Sequence, residues 1–431
     1  MSQPSTPNYL AAVKDQYERL PYPPCDPQDE HRRLMRTWLD SLPMINHYCF
    51  GGRADFDGGF RVLVAGGGTG DSTIYLAEQL KNTGAEIVHL DLSGASIAIA
   101  QQRAAIRRLS NIHWVQQSLL DLPTLGLGQF DYINCSGVLH HLADPDAGLR
   151  ALLAVLKPHG GMGLMVYGQI GRMAIYQMQE LLRLANGGVD EESKLAHAKE
   201  VLAGLPEWNW YRRAGEDYGD DRSDAAIYDS LLHSQDRAYT VPQLYEWLMD
   251  RHGLQLALTD VNRGLSPYLP ECTLAADAVR LRAHLPRMGE RERYAMSELL
   301  VGDLTRHTLF VTRGAGAAAP YGDADFIPYF VHDAFTGATL AELFAPKDGA
   351  PTTLFHQALG VTIEARHGAL TSRIFRHIDG RRSFGEIFDL VRAERGSGEQ
   401  PDNTACFADF AEPYAALRAI ERILLRHVSL R

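Results

Sequence analysis

From Arg61 onward, short apolar runs alternate with longer amphipathic ones, and the two periods predict strands and helices in turn. RVLVA (61–65) reads as a strand, and DSTIYLAEQL (71–80) as a helix with Ile74, Ala77 and Leu80 on one face. AEIVHLDLS and NIHWVQQ are the next two strands, separated by the helix SIAIAQQRAAIRRL; after the loop SLLDLPTLGLGQ, FDYINC is a fourth. PDAGLRALLAVL predicts a helix stopped by a KPHGG turn, because Pro158 and two glycines cannot continue it, and GMGLMVYG is a fifth strand. Such βαβ repetition implies an α/β, doubly wound, mainly parallel sheet with right-handed crossovers. GLQLALTDVNR and HTLFVTR add two strands, the last antiparallel at the edge, for a seven-stranded sheet.

The pattern changes outside this block. Residues 1–60 predict an N-terminal helical cap, with DQYERLPYPP a helix ending in a stiff extended turn. Residues 61–313 form the α/β domain, carrying a mostly helical lid insertion at about 169–253. GAGAAAPYG, rich in small residues, suits a linker, and 314–431 predicts a small, mainly helical C-terminal domain ending in the amphipathic EPYAALRAIERILLRHV.

Composition narrows the partners. A formal charge of −11 opposes a nucleic-acid surface. No run approaches the roughly 18 apolar residues of a membrane helix, and the N-terminus lacks an export pattern. The five cysteines are scattered and never CxxC, which fits a reducing compartment, so a cytoplasmic location is expected, with no metal site.

The stretch FRVLVAGGGTGD places four glycines where a strand turns into a helix. A parallel sheet presents backbone N–H groups and a helix N-terminus to a ligand at such a turn, and glycine permits both the turn and the approach. Gly66, Gly68 and Gly70 give GxGxG, whereas a dinucleotide turn needs GxGxxG; Asp71 stands at the sixth position, where its carboxylate would oppose a pyrophosphate. Asp91 ends the second strand about twenty residues beyond Gly70, where a carboxylate accepts from ribose hydroxyls. Asp121, with Leu119 and Leu120 beside it, could accept from an adenine amino group.

VLVAGGGTGD, HLDLS, SLLDLP, FDYINCSGVLHHLADP and LKPHGGMGLMVYG together resemble the class I S-adenosylmethionine-dependent methyltransferases, over residues 61–168, about a quarter of the chain. PYPP, AGGGTG, SGVLHHLADP, YGQIGR and HSQDRAYT resemble, more narrowly, a bacterial methyltransferase group of unassigned substrate. The resemblance implies S-adenosylmethionine held along the first four βα loops by Gly66, Gly67, Gly68, Gly70, Asp91, Leu92, Leu120, Asp121, Ser136 and Gly137. One position departs from it. Where the family often has an acid two residues before the first glycine, this chain has Val64, so another group must hold the cofactor's ammonium.

Methyl transfer from a sulfonium is an in-line displacement that needs alignment, water exclusion and, for an amine or hydroxyl, a base. His140, His141, Tyr17 and Arg172 are the candidates for catalysis, the histidines either handling a proton or packing against the cofactor. Tyr22, Tyr167, His233, Asp236, Arg237 and Tyr239 are candidates for acceptor binding, and Trp208, Trp210 and Tyr211 for an apolar wall or core. HIDGRRSFGEIFDLV weakly resembles small peptide-binding modules, which tilts the acceptor toward a peptide or protein side chain over a small organic molecule; a homodimer is equally compatible. A nicotinamide-dependent oxidoreductase and a catalytically silent binding module are the alternatives from other classes.

Overall fold

The computed structural model describes residues 11–214, 223–259, 267–275, 277–314, 317–331, 335–345, 351–356, 361–396 and 400–431. They fall into two compact units, with divisions at Ser41/Leu42, Asp55/Phe56, Leu244/Tyr245, Val301/Gly302 and Thr308/Leu309. The first unit holds the glycine-rich turn; the second holds the C-terminal region.

The strands of the main sheet are β1 (Arg61–Ala65), β2 (Glu86–Asp91), β3 (Ile112–Gln116), β4 (Phe130–Ser136), β5 (Leu156–Gly168), β6 (Ala238–Tyr239), β7 (Gln255–Leu258) and β8 (Arg306–Thr312). They run in the order β3-β2-β1-β4-β5-β8-β7, with the two-residue β6 beside the end of β5. Neighbours among β1 to β5 pair parallel, and β7 pairs antiparallel with β8. Seven strands form the path as expected, but β8 lies inside it between β5 and β7, and β7 rather than β8 is the edge strand; β6 is an addition that the AYT triplet did not announce. Of GLQLALTDVNR, Asp260 to Arg263 lie outside the described residues.

The KPHGG segment departs from expectation. It does not separate helix from strand: β5 starts at Leu156, directly after the helix Pro145–Val155. Phe130 pairs with Leu156 and Tyr132 with Gly161, so one residue of β4 faces four of β5. Pro158 has no N–H for the ladder, and the surplus is accommodated as a bulge.

Helices cover the sheet by their apolar faces. In the helix Asp71–Leu80, Ile74, Leu76 and Leu80 are completely buried, each worth about 1.5–3 kcal/mol. Ser93 caps the helix Gly94–Ile106 by accepting from Ser96 N. Glu18, from the helix Ala11–Arg19, accepts from Gly94 N at 2.8 Å and Ala95 N at 3.1 Å, which places a carboxylate on the positive end of that helix.

The second unit is built around buried phenylalanines, Phe326, Phe344, Phe375, Phe384, Phe388 and Phe410. Its helices Thr371–His377, Phe384–Arg395 and Asn403–Ala419 are joined by β9 (Phe326–Phe330), β10 (Thr352–His356), β11 (Val361–Ala365) and β12 (Ile423–His427). The last amphipathic stretch is thus only partly helical. Glu421 takes φ +53° and ends the helix, after which ILLRH pairs antiparallel with β9. Ala317 and Ala319, in the small-residue stretch, bond to Gly51 N and His47 O of the same unit. Among the described residues no helix is long and apolar enough to cross a membrane.

Candidate active site

Along β1 to β5 the carboxyl strand ends border a cavity of about 540 Å³ in the first unit. The chain leaves β1 toward β2 on one side and returns to β4 on the other. That switch in direction opens a crevice in doubly wound sheets.

Gly66, Gly67 and Gly68 line it where β1 ends. Gly66 and Gly68 have φ of +75° and +51°, values open to glycine at no steric cost. Space excludes larger residues as well: a Cβ on Gly66 would lie 2.3 Å from Val138 Cγ2, and one on Gly68 2.5 Å from the carbonyl oxygen of Tyr22. Gly66 N and Gly67 N donate to Leu90 O, and Gly68 N donates to Asp91 Oδ2 at 2.7 Å. Asp91 Oδ1 accepts from Ser93 N at 2.8 Å. These bonds leave part of the carboxylate's four acceptor directions open to a ligand. Burial raises its pKa, against the pull of the Ser93, Gly68 and Leu92 N–H groups.

The N-terminal segment closes one side. Val13, Tyr17, Tyr22 and Pro23 line the cavity, fixed by Thr69 Oγ1 donating to Pro23 O at 2.7 Å and Ser93 Oγ to Tyr17 O at 3.0 Å.

At the β5 side lies a buried polar cluster. Tyr17 and Tyr167 donate their hydroxyls to the two oxygens of Asp229, at 2.9 and 3.1 Å. Burial raises the pKa of all three. Asp229 sits on Tyr228–Leu232, wound as a π-helix, a form that often marks functional sites. Arg172 stacks its guanidinium 3.5 Å from the Tyr167 ring centre and donates to Asp236 at 3.0 Å, with both side chains buried. Tyr176 and Gln179 also donate to Asp236. Arg172, a candidate for catalysis, is thus held in an internal ion pair.

One residue sets the protonation of two histidines. Gln235 N donates to His233 Nδ1 at 3.0 Å, and Gln235 O sits 2.7 Å from His141 Nδ1. His141 therefore carries its hydrogen on Nδ1, leaving a lone pair on Nε2; neutral His233 has the opposite tautomer. Burial lowers both pKa values, that of His233 to about 4, so both are neutral at pH 7. The rings stack at 3.8 Å between centres. His141, Asp229 and His233 have donor atoms within 4.8 Å of one another, a spacing that a cation could bridge. Against this, Nε2 of His233 holds a hydrogen and Nδ1 is occupied, so that ring has no free lone pair for a metal.

Of the residues singled out in the sequence, Tyr17, Tyr22, Gly66, Gly67, Gly68, Asp91, Leu92, Ser136, Gly137, His141, Tyr167 and Arg172 line the cavity. The others stand behind or beside the wall. Gly70 opens the helix Asp71–Leu80, and Leu120 and Asp121 lie on the turn Leu119–Thr124, of which Leu119 reaches the cavity. His140 is buried against the Tyr167 ring with neither ring nitrogen hydrogen-bonded among the described residues, and its carbonyl accepts from Arg237 N. His233 backs His141, Asp236 holds Arg172, and Tyr239 accepts through its carbonyl from His307. Trp208 and Trp210 are neither wall nor core, at 77% and 59% exposure, while Tyr211 packs in the core of the helical insertion. Asp71 lines the cavity with its charge met by Arg103 at 2.7 Å. Sequence reasoning missed Asp229, Asn134 and Thr37; only Asp229 had a signal, an acid within the polar YDSLLHSQDRAYT stretch.

Residues 63–162 match a family model described as a methyltransferase domain. A protein of Synechococcus sp. named only as uncharacterized is 34% identical over 73% of this chain and 74% of its own length. The ubiquinone biosynthesis O-methyltransferase of Albidiferax ferrireducens is 26% identical over 41% of this chain and 68% of its own. The structure of PKMT2 from Rickettsia typhi in complex with AdoHcy superimposes with a TM-score of 0.60 at 14% identity, covering 91% of this chain and 76% of that one. The chain belongs to the class I S-adenosylmethionine-dependent methyltransferases, and S-adenosylmethionine is its cofactor.

Gly68→Ala must place a left-handed Cβ against the Tyr22 carbonyl. The backbone conformation alone costs about 1–2 kcal/mol, so urea denaturation should show at least that loss, with faster amide exchange between Tyr17 and Tyr22. Unchanged stability and exchange would contradict this geometry.

Proposed function

We propose that the protein methylates a hydroxyl oxygen of an organic acceptor, with His141 Nε2 taking the proton. The observation that carries this reading is the Gln235 peptide group, which leaves His141 with a lone pair on the ring nitrogen that makes no hydrogen bond among the described residues, in a side chain that lines the cavity.

The residues present suit the cofactor. Asp91 would take the ribose hydroxyls, Leu92 and Leu119 the adenine faces, and Gly66, Gly68, Ser136 and Gly137 the sulfur side, where a side chain at Gly66 would collide with Val138. When bound, S-adenosylmethionine supplies a methyl group on a cationic sulfur. The chain aligns the acceptor and keeps water out, effects worth up to about 7–11 kcal/mol.

The base discriminates between acceptors. An ammonium of pKa near 10.4 must lose its proton before attack, and an imidazole held below the usual 6.5 accepts it only at a cost of at least about 5 kcal/mol. A hydroxyl oxygen can attack the methyl carbon as it stands, the C–S bond breaking to release the neutral thioether, and its proton becomes strongly acidic as the new C–O bond forms, so a weak base is enough. The similarity to proteins named as O-methyltransferases supports an oxygen acceptor.

Two outcomes follow. Asp91→Ala should weaken S-adenosylhomocysteine binding at least tenfold in calorimetry, consistent with a charge-assisted hydrogen bond of about 1.5–3 kcal/mol; an unchanged affinity removes Asp91 from the site. His141→Gln should lower kcat by about 10²–10⁴ with cofactor affinity within threefold. In the unmodified protein, kcat/KM should stay level down to about pH 6 and fall only below it, because a base with a lowered pKa remains neutral further into acid. An acid limb centred above pH 7 would contradict the assignment.

A further inference from the structure

S-adenosylmethionine carries an ammonium at its amino-acid end, and the position that commonly meets it with an acid is Val64 here. Val64 pairs in register with Asn134 on β4, so the two side by side line the cavity. Behind them lies Asp40, completely buried. Asn134 Nδ2 donates to Asp40 Oδ1 at 2.8 Å. This bond fixes the amide: with its nitrogen turned to Asp40, its carbonyl oxygen is left without a hydrogen-bond donor among the described residues. Asp40 Oδ2 and Thr37 Oγ1, the latter on a cavity-lining residue, make no well-formed hydrogen bond among the described residues, and the Ser72 and Thr37 hydroxyls are the neutral groups beside the carboxyl.

Three other carboxylates border the cavity, and each is compensated. Asp71 meets Arg103 at 2.7 Å, Asp91 takes the Gly68 and Ser93 N–H groups, and Asp229 takes two tyrosyl hydroxyls. Asp40 is buried against neutral groups, the Asn134 amide and the Ser72 and Thr37 hydroxyls, with no ion pair among the described residues. An unpaired buried carboxylate is costly unless a positive charge arrives. The adenosine end is accounted for by Asp91 and Leu119 at the ends of β2 and β3, which leaves the region between the ends of β1 and β4 for the amino-acid end.

Resting on the cofactor reading above, we infer that Asp40, Asn134 and Thr37 form the ammonium subsite of this protein, replacing the acid absent at Val64. Asn134 Oδ1 accepts from the ammonium, and Thr37 lines the cavity beside it with its hydroxyl turned to Asp40. Asp40 acts as a positioning residue, holding the amide and supplying the negative charge behind it. Burial raises its pKa to about 6, with the Ser72, Thr37 and Asn134 side chains limiting the rise, so it is mostly ionised at neutral pH.

Calorimetry of Asp40→Asn with two ligands tests this: S-adenosylhomocysteine, which has the amino-acid end, and methylthioadenosine, which lacks it. The expected result is a loss of tenfold or more for the first and less than twofold for the second. Equal losses, or none, would overturn the subsite. Methylthioadenosine binding also reports an intact nucleoside pocket; if unmodified protein binds neither ligand, the cofactor placement fails instead. Should Asp40→Asn not fold, Asn134→Leu is expected to give the same selective loss, and a loss shared by both ligands in that variant overturns the proposal.

Discussion

The carboxylate of Asp91 receives two backbone N–H groups that belong to different turns, that of Gly68 after β1 and that of Ser93 after β2. This convergence is possible because the chain between Ala65 and Gly70 passes through left-handed conformations with no room for a Cβ. One acid thereby joins the two loops that a nucleoside must touch together. The N-terminal segment is fitted to the same turn, since the Tyr22 carbonyl occupies the space a side chain at Gly68 would fill. Loss of the turn would loosen floor and side wall at once.

Charge is arranged in two regions around that turn. On the β5 side, Asp229 and Asp236 are each surrounded by hydrogen-bond donors, and burial keeps His140, His141 and His233 neutral. Arg172, tied to Asp236 and stacked on Tyr167, adds a fixed positive charge and further opposes protonation of His141. Such a site suits a neutral base. On the β1–β4 side, Asp40 has no ion pair among the described residues, which suits a positively charged group of the ligand.

Much of this was legible in the sequence because it depends on local rules. Glycine spacing, β-branched runs and the acid closing β2 each report a nearby backbone conformation. Asp40 and Asn134 are 94 residues apart and meet only through the fold. Tyr17 and Asp229, separated by 212, do the same. The HHLADP stretch drew attention to two adjacent histidines, yet their difference is set by a distant peptide group, at Gln235, and by the Tyr167 ring against His140. ILLRH at the C-terminus has an apolar pattern that helix and buried strand share; pairing with β9 decided it. The KPHGG bulge shows the converse, a local break signal absorbed by the sheet instead of ending an element.

The most direct measurement is a crystal structure with S-adenosylhomocysteine bound. Its ribose hydroxyls should lie within hydrogen-bond distance of Asp91, its adenine beside Leu119, and its sulfur between Gly66 and His141. A nucleoside bound away from Asp91, or a ligand whose sulfur faces away from His141, would contradict the placement on which the chemistry depends.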